Sequence, residues 1–268
     1  MSRIREIAAS AAAKNKKLLI PYVVAGDPDL ATTLALLHQL VADGADIIEL
    51  GIPFSDPSSD GPVIQLGVER ALAGGITLKE VLELVAKFRE TDTHTPVVLM
   101  GYLNPIERMG YEAFVDGSAA AGVDGVLVVD MPPAEAEGLR DQLQSRSIDT
   151  IFLVAPTTTD ARCAQIAASC SGYLYYVSLK GVTGAALLDS ESVRLNIERL
   201  RGMTQLPIVI GFGIKDADSA KAMGALADGV IIGSALVERV AELGSSSAAE
   251  VTASTAVIRE ARAALEQL

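Results

Sequence analysis

The chain has 268 residues, half of them apolar, and carries 34 acidic against 22 basic side chains for a formal charge of −12. That length builds one large domain or two small ones around a sizeable core. The acidic balance lacks the basic stripe of a nucleic-acid binder and repels anionic membranes, so an anionic ligand would need a local site of backbone N–H groups.

The N-terminal MSRIREIAASAAAKNKK has scattered charges and no signal-peptide core, and reads as a short surface helix. Eight short apolar runs follow: KLLIPYVVAG (17–26), ADIIELG (45–51), TPVVLMG (95–101), DGVLVVD (124–130), IDTIFLVA (148–155), GYLYYVS (172–178), LPIVIGFG (206–213) and ADGVIIGS (227–234). They are rich in Val, Ile and Leu without alternation, as strands of a parallel sheet covered on both faces are. None reaches the roughly 18 residues of a membrane span. Amphipathic helical stretches lie between them, among them DLATTLALLHQLVADG (29–44), LKEVLELVAKFRE (78–90), AEAEGLRDQLQSR (134–146), TDARCAQIAASC (159–170) and DADSAKAMGALA (216–227). Eight strands with right-handed helical crossovers predict an α/β fold, a single (β/α)8 TIM barrel over 1–268 with an N-terminal extra helix. A short extra helix, SALVERV (234–240), follows the eighth strand, and GSSSAAE (244–250) introduces a last helix, VTASTAVIREARAALEQL. An open doubly wound sheet is the alternative, but VVAGDPD lacks its Gly-rich first turn.

Cys163 and Cys170, seven apart on one helix face, read as buried thiols of a reducing cytoplasm rather than ligands. His38 and His94 stand apart from metal-ligand neighbours, which argues for surface roles and no metal.

A barrel places its site at the carboxyl ends of the strands. Glu49 lies near the end of the second strand and Asp60 on the loop beyond it. Burying Glu49 in the helix layer would carry a heavy desolvation penalty, so the barrel mouth is favoured. Partial burial there would raise its pKa toward neutral. A structural ion pair for Glu49, and a turn-forming role for Asp60 before Gly-Pro, are the plainer alternatives. Asp130 closes the fourth strand, as a structural or rim residue. Glycines after the sixth, seventh and eighth strands (GVTG at 181–184, Gly213, Gly233 with Ser234) would let backbone N–H groups and a helix N-terminus meet a phosphate.

The stretch IELGIPFSDPSSDGPVIQ (48–65) resembles the signature of the tryptophan synthase α chain family. PYVVAGDPD, PVVLMGYLNPI, GVLVVDMPPAEA, FLVAPTTTDAR, YYVSLKGVTGA, PIVIGFGIKDA and DGVIIGSALV match it in order, from about residue 20 to 240. The resemblance implies retro-aldol cleavage of indole-3-glycerol phosphate to indole and glyceraldehyde 3-phosphate, with no cofactor in this chain. It makes Glu49 the general acid/base and Asp60 the partner of the indole N–H. Tyr22, Met100, Leu127, Tyr175, Phe212 and Ile232 would line the indole pocket. Gly184, Gly213, Gly233 and Ser234 would cradle the phosphate, and Thr183 would be the lid residue that meets the Asp60 loop. It also implies a β-chain partner carrying pyridoxal phosphate, in an α2β2 heterotetramer contacted through the Asp56 and Asn104-Pro105 loops. Ser58-Ser59, Met100 and Leu179 depart from the usual pattern. A stand-alone indole-releasing lyase, a non-catalytic regulatory subunit and another phosphate-binding barrel are the rival readings.

Overall fold

Strands rich in branched aliphatic residues need cover on both faces, and the fold supplies it. The computed structural model describes residues 2–178, 190–211, 213–243 and 247–268. Among these, nine parallel strands form one sheet: β1 (Leu18–Val24), β2 (Ile48–Gly51), β3 (Val97–Gly101), β4 (Gly125–Val128), β5 (Asp149–Ile151), β6 (Leu153–Val154), β7 (Leu174–Val177), β8 (Ile208–Gly211) and β9 (Gly229–Ile232). Their order is β5-β4-β3-β2-β1-β9-β8-β7-β6, with helices on the outside. All seven residues of β1 are buried, which is the physical meaning of an apolar run without alternation.

The fifth expected strand is two. The chain breaks at Phe152, so that β5 pairs with β4 and β6 pairs with β7. Each half turns its hydrogen bonds to a different neighbour, and the two edges of the sheet meet there. The Ser171 N–H donates to Thr150 O at 2.8 Å and the Tyr175 N–H to Phe152 O at 3.2 Å, which nearly closes the barrel. Register fixes which side chains enter it: Tyr22 pairs with Glu49, and Glu49 with Val98, while Ile48 and Leu50 point outward into the helix layer.

Local chemistry starts the helices where the sequence places them. Asp29 caps Leu30–Ala42 by accepting from Thr32 N–H at 2.8 Å. Thr77 and Glu80 form a capping box on Leu78–Arg89. The expected last helix is also two, Ala248–Ser254 and Ala256–Leu265, broken at buried Thr255. The Thr255 hydroxyl donates to Asp43 Oδ2 at 2.6 Å, which ties the break to the β1–β2 connection.

The N-terminal helix, Arg3–Ala13, is more than a surface element. Ile4, Ala8 and Ala11 are buried, one helical face set against the amino-terminal end of the barrel. Ile4 is fully buried, and its Cδ1 lies 3.0 Å from where a Cβ on Gly125 would stand. Arg3 Nη1 donates to Asp124 Oδ1 at 2.8 Å, and Arg89 Nη2 to Asp124 Oδ2 at 2.7 Å, so a buried carboxylate pins this plug. Truncating Ile4 to Ala is expected to destabilise the protein by about 2–4 kcal/mol in denaturant unfolding, the range for deleting a fully buried aliphatic side chain. An unchanged midpoint would show that the helix does not plug the barrel.

Candidate active site

Glu49 enters the barrel because β2 alternates and its neighbours face outward. Its side chain is fully buried, where the sequence had suggested partial cover. The Tyr173 hydroxyl donates to Glu49 Oε1 at 2.5 Å, and Oε2 has no hydrogen-bond partner among the described residues. Burial pushes the Glu49 carboxyl up to about 7, against the Tyr173 hydrogen bond, which pulls it down. Tyr173 was not singled out in the sequence, although it stands two residues before Tyr175 and shares its inward face.

Asp60 lies half-buried on the loop after β2. Tyr102, just beyond β3, reaches this loop twice: its hydroxyl donates to Asp60 Oδ2 at 3.1 Å and accepts from the Ser59 N–H at 2.9 Å. Its ring also packs against Phe54 at 5.4 Å between centroids, so one phenol holds both stems of the loop. Gln65 Nε2 donates to the Asp60 carbonyl at 2.8 Å, which joins the loop to the helix Pro62–Ala73. Burial raises the Asp60 pKa, opposed by the Tyr102 hydrogen bond. Tyr102 was also missed, though its spacing of two from Met100 marks it.

The two carboxylates share a cavity of about 250 Å³ at the carboxyl-terminal mouth. Tyr22, Met100, Tyr175, Gly213, Gly233 and Ser234, all singled out in the sequence, line it. Tyr22 and Tyr175 lie across glycines. A Cβ on Gly51 would stand 2.2 Å from the Tyr22 hydroxyl, and one on Gly211 would stand 2.1 Å from that of Tyr175. Burial, with the Glu49 and Asp60 carboxylates nearby, holds both phenols neutral and well above the usual range.

One expected lining residue is placed otherwise. Ile232 is buried outside the cavity and Ile231 lines it, because β9 pairs Ile231 with Ile20 and Ile232 with Pro21, and alternation turns only the former inward. Leu127, opposite Met100 in the sheet, is buried on the same inward face of the barrel. Thr183, Gly184, Phe212 and Leu179 lie outside the described residues. Asp130 lies past the end of β4 and accepts from the Leu103 N–H at 2.8 Å, at the start of the helix Leu103–Met109 that follows β3. Gly233 caps the helix Ser234–Ala241, whose first N–H groups lack intrahelical acceptors and sit at the cavity wall.

Larger hollows of about 530 and 690 Å³ open at the amino-terminal end of the barrel. Their cations are engaged, as in Lys16–Asp46 at 2.5 Å and Arg201–Asp228 at 2.8 Å. Barrel chemistry belongs to the other end.

A nearly closed parallel barrel with two carboxylates of unlike environment at its carboxyl-terminal mouth defines a (β/α)8-barrel enzyme. The family model described as "Tryptophan synthase alpha chain" matches residues 8–266. The chain is 54% identical over 266 residues to the tryptophan synthase alpha chain of Cupriavidus taiwanensis, covering 99% of this chain and 100% of that one. It is also 54% identical to that of Neisseria gonorrhoeae over 261 residues, 97% of this chain and 99% of that one. The crystal structure of tryptophan synthase subunit alpha from Legionella pneumophila superposes with a TM-score of 0.93 at 43% identity, covering 100% of both chains. The chain belongs to the tryptophan synthase alpha chain family. It is a lyase of tryptophan biosynthesis, cleaving indole-3-glycerol phosphate.

The raised Glu49 pKa has a thermodynamic sign. In the unfolded chain the carboxyl ionises near its ordinary 4.5, whereas in the fold it ionises at about 7. Stability from this group is therefore complete below 4.5 and is lost as pH rises toward 7. Glu49→Gln removes that loss. The variant is expected to match the parent in stability near pH 4 and to exceed it above pH 7, by on the order of 3 kcal/mol, in urea unfolding across pH. A stability difference independent of pH would contradict the buried, raised carboxyl.

Proposed function

We propose that Glu49 and Asp60 divide the cleavage of indole-3-glycerol phosphate between them. The reading rests on one observation: a fully buried carboxyl with one oxygen bonded to Tyr173 and the other without a partner among the described residues shares a cavity with a second, separately held carboxylate. In the protonated form that burial favours, Glu49 delivers its proton to the ring carbon that bears the glycerol chain. This breaks indole aromaticity and places positive charge toward the ring nitrogen. Asp60, ionised, accepts the ring N–H hydrogen bond and offsets that charge. The Glu49 carboxylate then takes the proton of the adjacent side-chain hydroxyl. As that proton leaves, the carbon–carbon bond breaks, its electron pair restores the aromatic ring, and glyceraldehyde 3-phosphate departs as the aldehyde. Glu49 ends protonated, ready for another turn.

Tyr22, Met100 and Tyr175 provide the walls for the flat ring, with Ile231 below. Gly213, Gly233 and Ser234 receive the phosphate, aided by the dipole of the helix Ser234–Ala241. By family likeness Gly184 and Phe212 complete these walls and Thr183 completes the lid. The chemistry asks no cofactor of this chain. A β chain carrying pyridoxal phosphate is the proposed partner, in a cytoplasmic α2β2 heterotetramer. Asp56, exposed on the loop after β2, and Asn104, exposed on the first turn of the helix Leu103–Met109 where the sequence suggested a loop, offer it a docking surface at the same end of the barrel. The whole chain acts as a single domain.

The test is free indole released from indole-3-glycerol phosphate, with and without a β chain. The parent is expected to release indole, and faster with the partner present. Glu49→Gln is expected to bind substrate yet lose activity by at least about 1,000-fold, and Asp60→Asn to lose about 100-fold, the scale of general acid–base and electrostatic contributions combined. Indole release by Glu49→Gln at the parent rate would overturn the assignment.

A further inference from the structure

The cavity that holds the two carboxylates has a single basic side chain on its wall among the described residues, Lys215. It lies two residues past Gly213, beyond the end of β8, which pairs with β9, the strand that leads into Gly233, Ser234 and Ala235. The local backbone is fixed from both directions. Ile214 is buried, and the N–H groups of Lys215 and Asp216 both donate to Ser219 Oγ, at 3.1 and 3.2 Å. The neighbouring acid is engaged by its own helix, although the Lys215 charge also acts on it: Asp216 Oδ1 accepts from the Ser219 N–H at 2.9 Å as the cap of the helix Ala217–Gly224. Lys215 itself is exposed and forms no ion pair among the described residues. An ammonium group on a stem that its own loop does not use, at a wall made of free helix N–H groups, sits where an anion would be held.

The need for it is electrostatic. The protein carries −12 overall and places two carboxylates in the same cavity, so a phosphate dianion entering it meets like charge. Backbone N–H groups and one helix dipole supply partial charges only. We propose that Lys215 is the counter-ion of the substrate phosphate, closing over it from the β8 side and setting the enzyme's preference for phosphorylated over unphosphorylated substrates. This rests on the proposed phosphate cradle at Gly213, Gly233 and Ser234. Because Lys215 is far along the substrate from the reacting carbon, its attraction is the same in ground and transition states and acts on KM rather than kcat.

Steady-state cleavage of indole-3-glycerol phosphate by Lys215→Ala, Lys215→Gln and Lys215→Arg, at low and high ionic strength, tests the assignment. Titration of the full chain with glycerol 3-phosphate, glycerol and indole accompanies it. At about 20 mM salt, Lys215→Ala and Lys215→Gln are expected to raise KM about 3- to 10-fold with kcat within about twofold, and Lys215→Arg to restore most of the loss. The difference is expected to fade by about 0.5 M salt, as screening shortens the reach of the charge. Affinity for indole alone is expected not to move. If the parent binds glycerol 3-phosphate well and Lys215→Ala binds it equally at low salt, the counter-ion role is overturned while the cradle stands. If the parent itself prefers glycerol 3-phosphate no more than glycerol, the cradle fails and the proposal with it. A fall in kcat matched by weaker indole binding would assign Lys215 to loop structure and also overturn it.

Discussion

A carboxyl group held away from water inside a parallel barrel is the constraint on which the rest of the site depends. Most fully buried carboxylates in proteins are paired with a cation, because an isolated buried anion is costly. Glu49 is instead met by a neutral phenol on one oxygen and by no described partner on the other. The protein accepts this because the group need not be ionised: at neutral pH it stands near the midpoint of its titration. The stability forgone by ionising it is the same free energy on which the proposed proton transfer draws.

Asp60 shows how one fold keeps a second acid different from the first. Glu49 is fixed by a strand and enclosed by barrel layers, whereas Asp60 rides on a loop and is only half-buried. Tyr102 restrains the loop through the Ser59 N–H and the Asp60 carboxylate together, and holds Asp60 at the cavity. The two tyrosines that hold the acids lie just past β3 and just before β7, strands far apart in the sheet order. Around them, glycines are dictated by the side chains that lie on them, since a Cβ at Gly51 or Gly211 would collide with the Tyr22 or Tyr175 ring. The same acids that suit the chemistry make the cavity hostile to a phosphate. The proposed cradle of helix N–H groups and the proposed Lys215 charge would resolve that conflict locally.

The barrel was legible in the chain because strands covered on both faces must be continuously apolar, and eight such runs separated by helices leave few topologies. The same feature hid the finer detail. A run such as GVII carries no alternation, so nothing within it tells Ile231 from Ile232; only pairing with Ile20 does. The break at Phe152 was hidden for a related reason, since a sequence does not show which neighbour a strand bonds at each point. The plug helix was read as surface because two of its three buried positions are alanines, which give little hydrophobic signal. Tyr102 and Tyr173 could have been found by counting two residues from Met100 and Tyr175. Glu49 and Asp60 were visible at once, since a polar acid in an apolar strand end and an acid in a Pro-Ser-Gly loop have few other reasons to stand together.

The whole account turns on the protonation of one side chain, and that can be observed without any substrate. Carbon-13 labelling of the glutamate side-chain carboxyls, with the Glu49 resonance assigned by its loss in Glu49→Gln, would report its titration by NMR. A midpoint near 7, well separated from the exposed glutamates, is the expected result. A midpoint at the ordinary value of 4.5 would mean that the carboxyl is solvated and ionised at neutral pH, and would contradict its role as the proton donor.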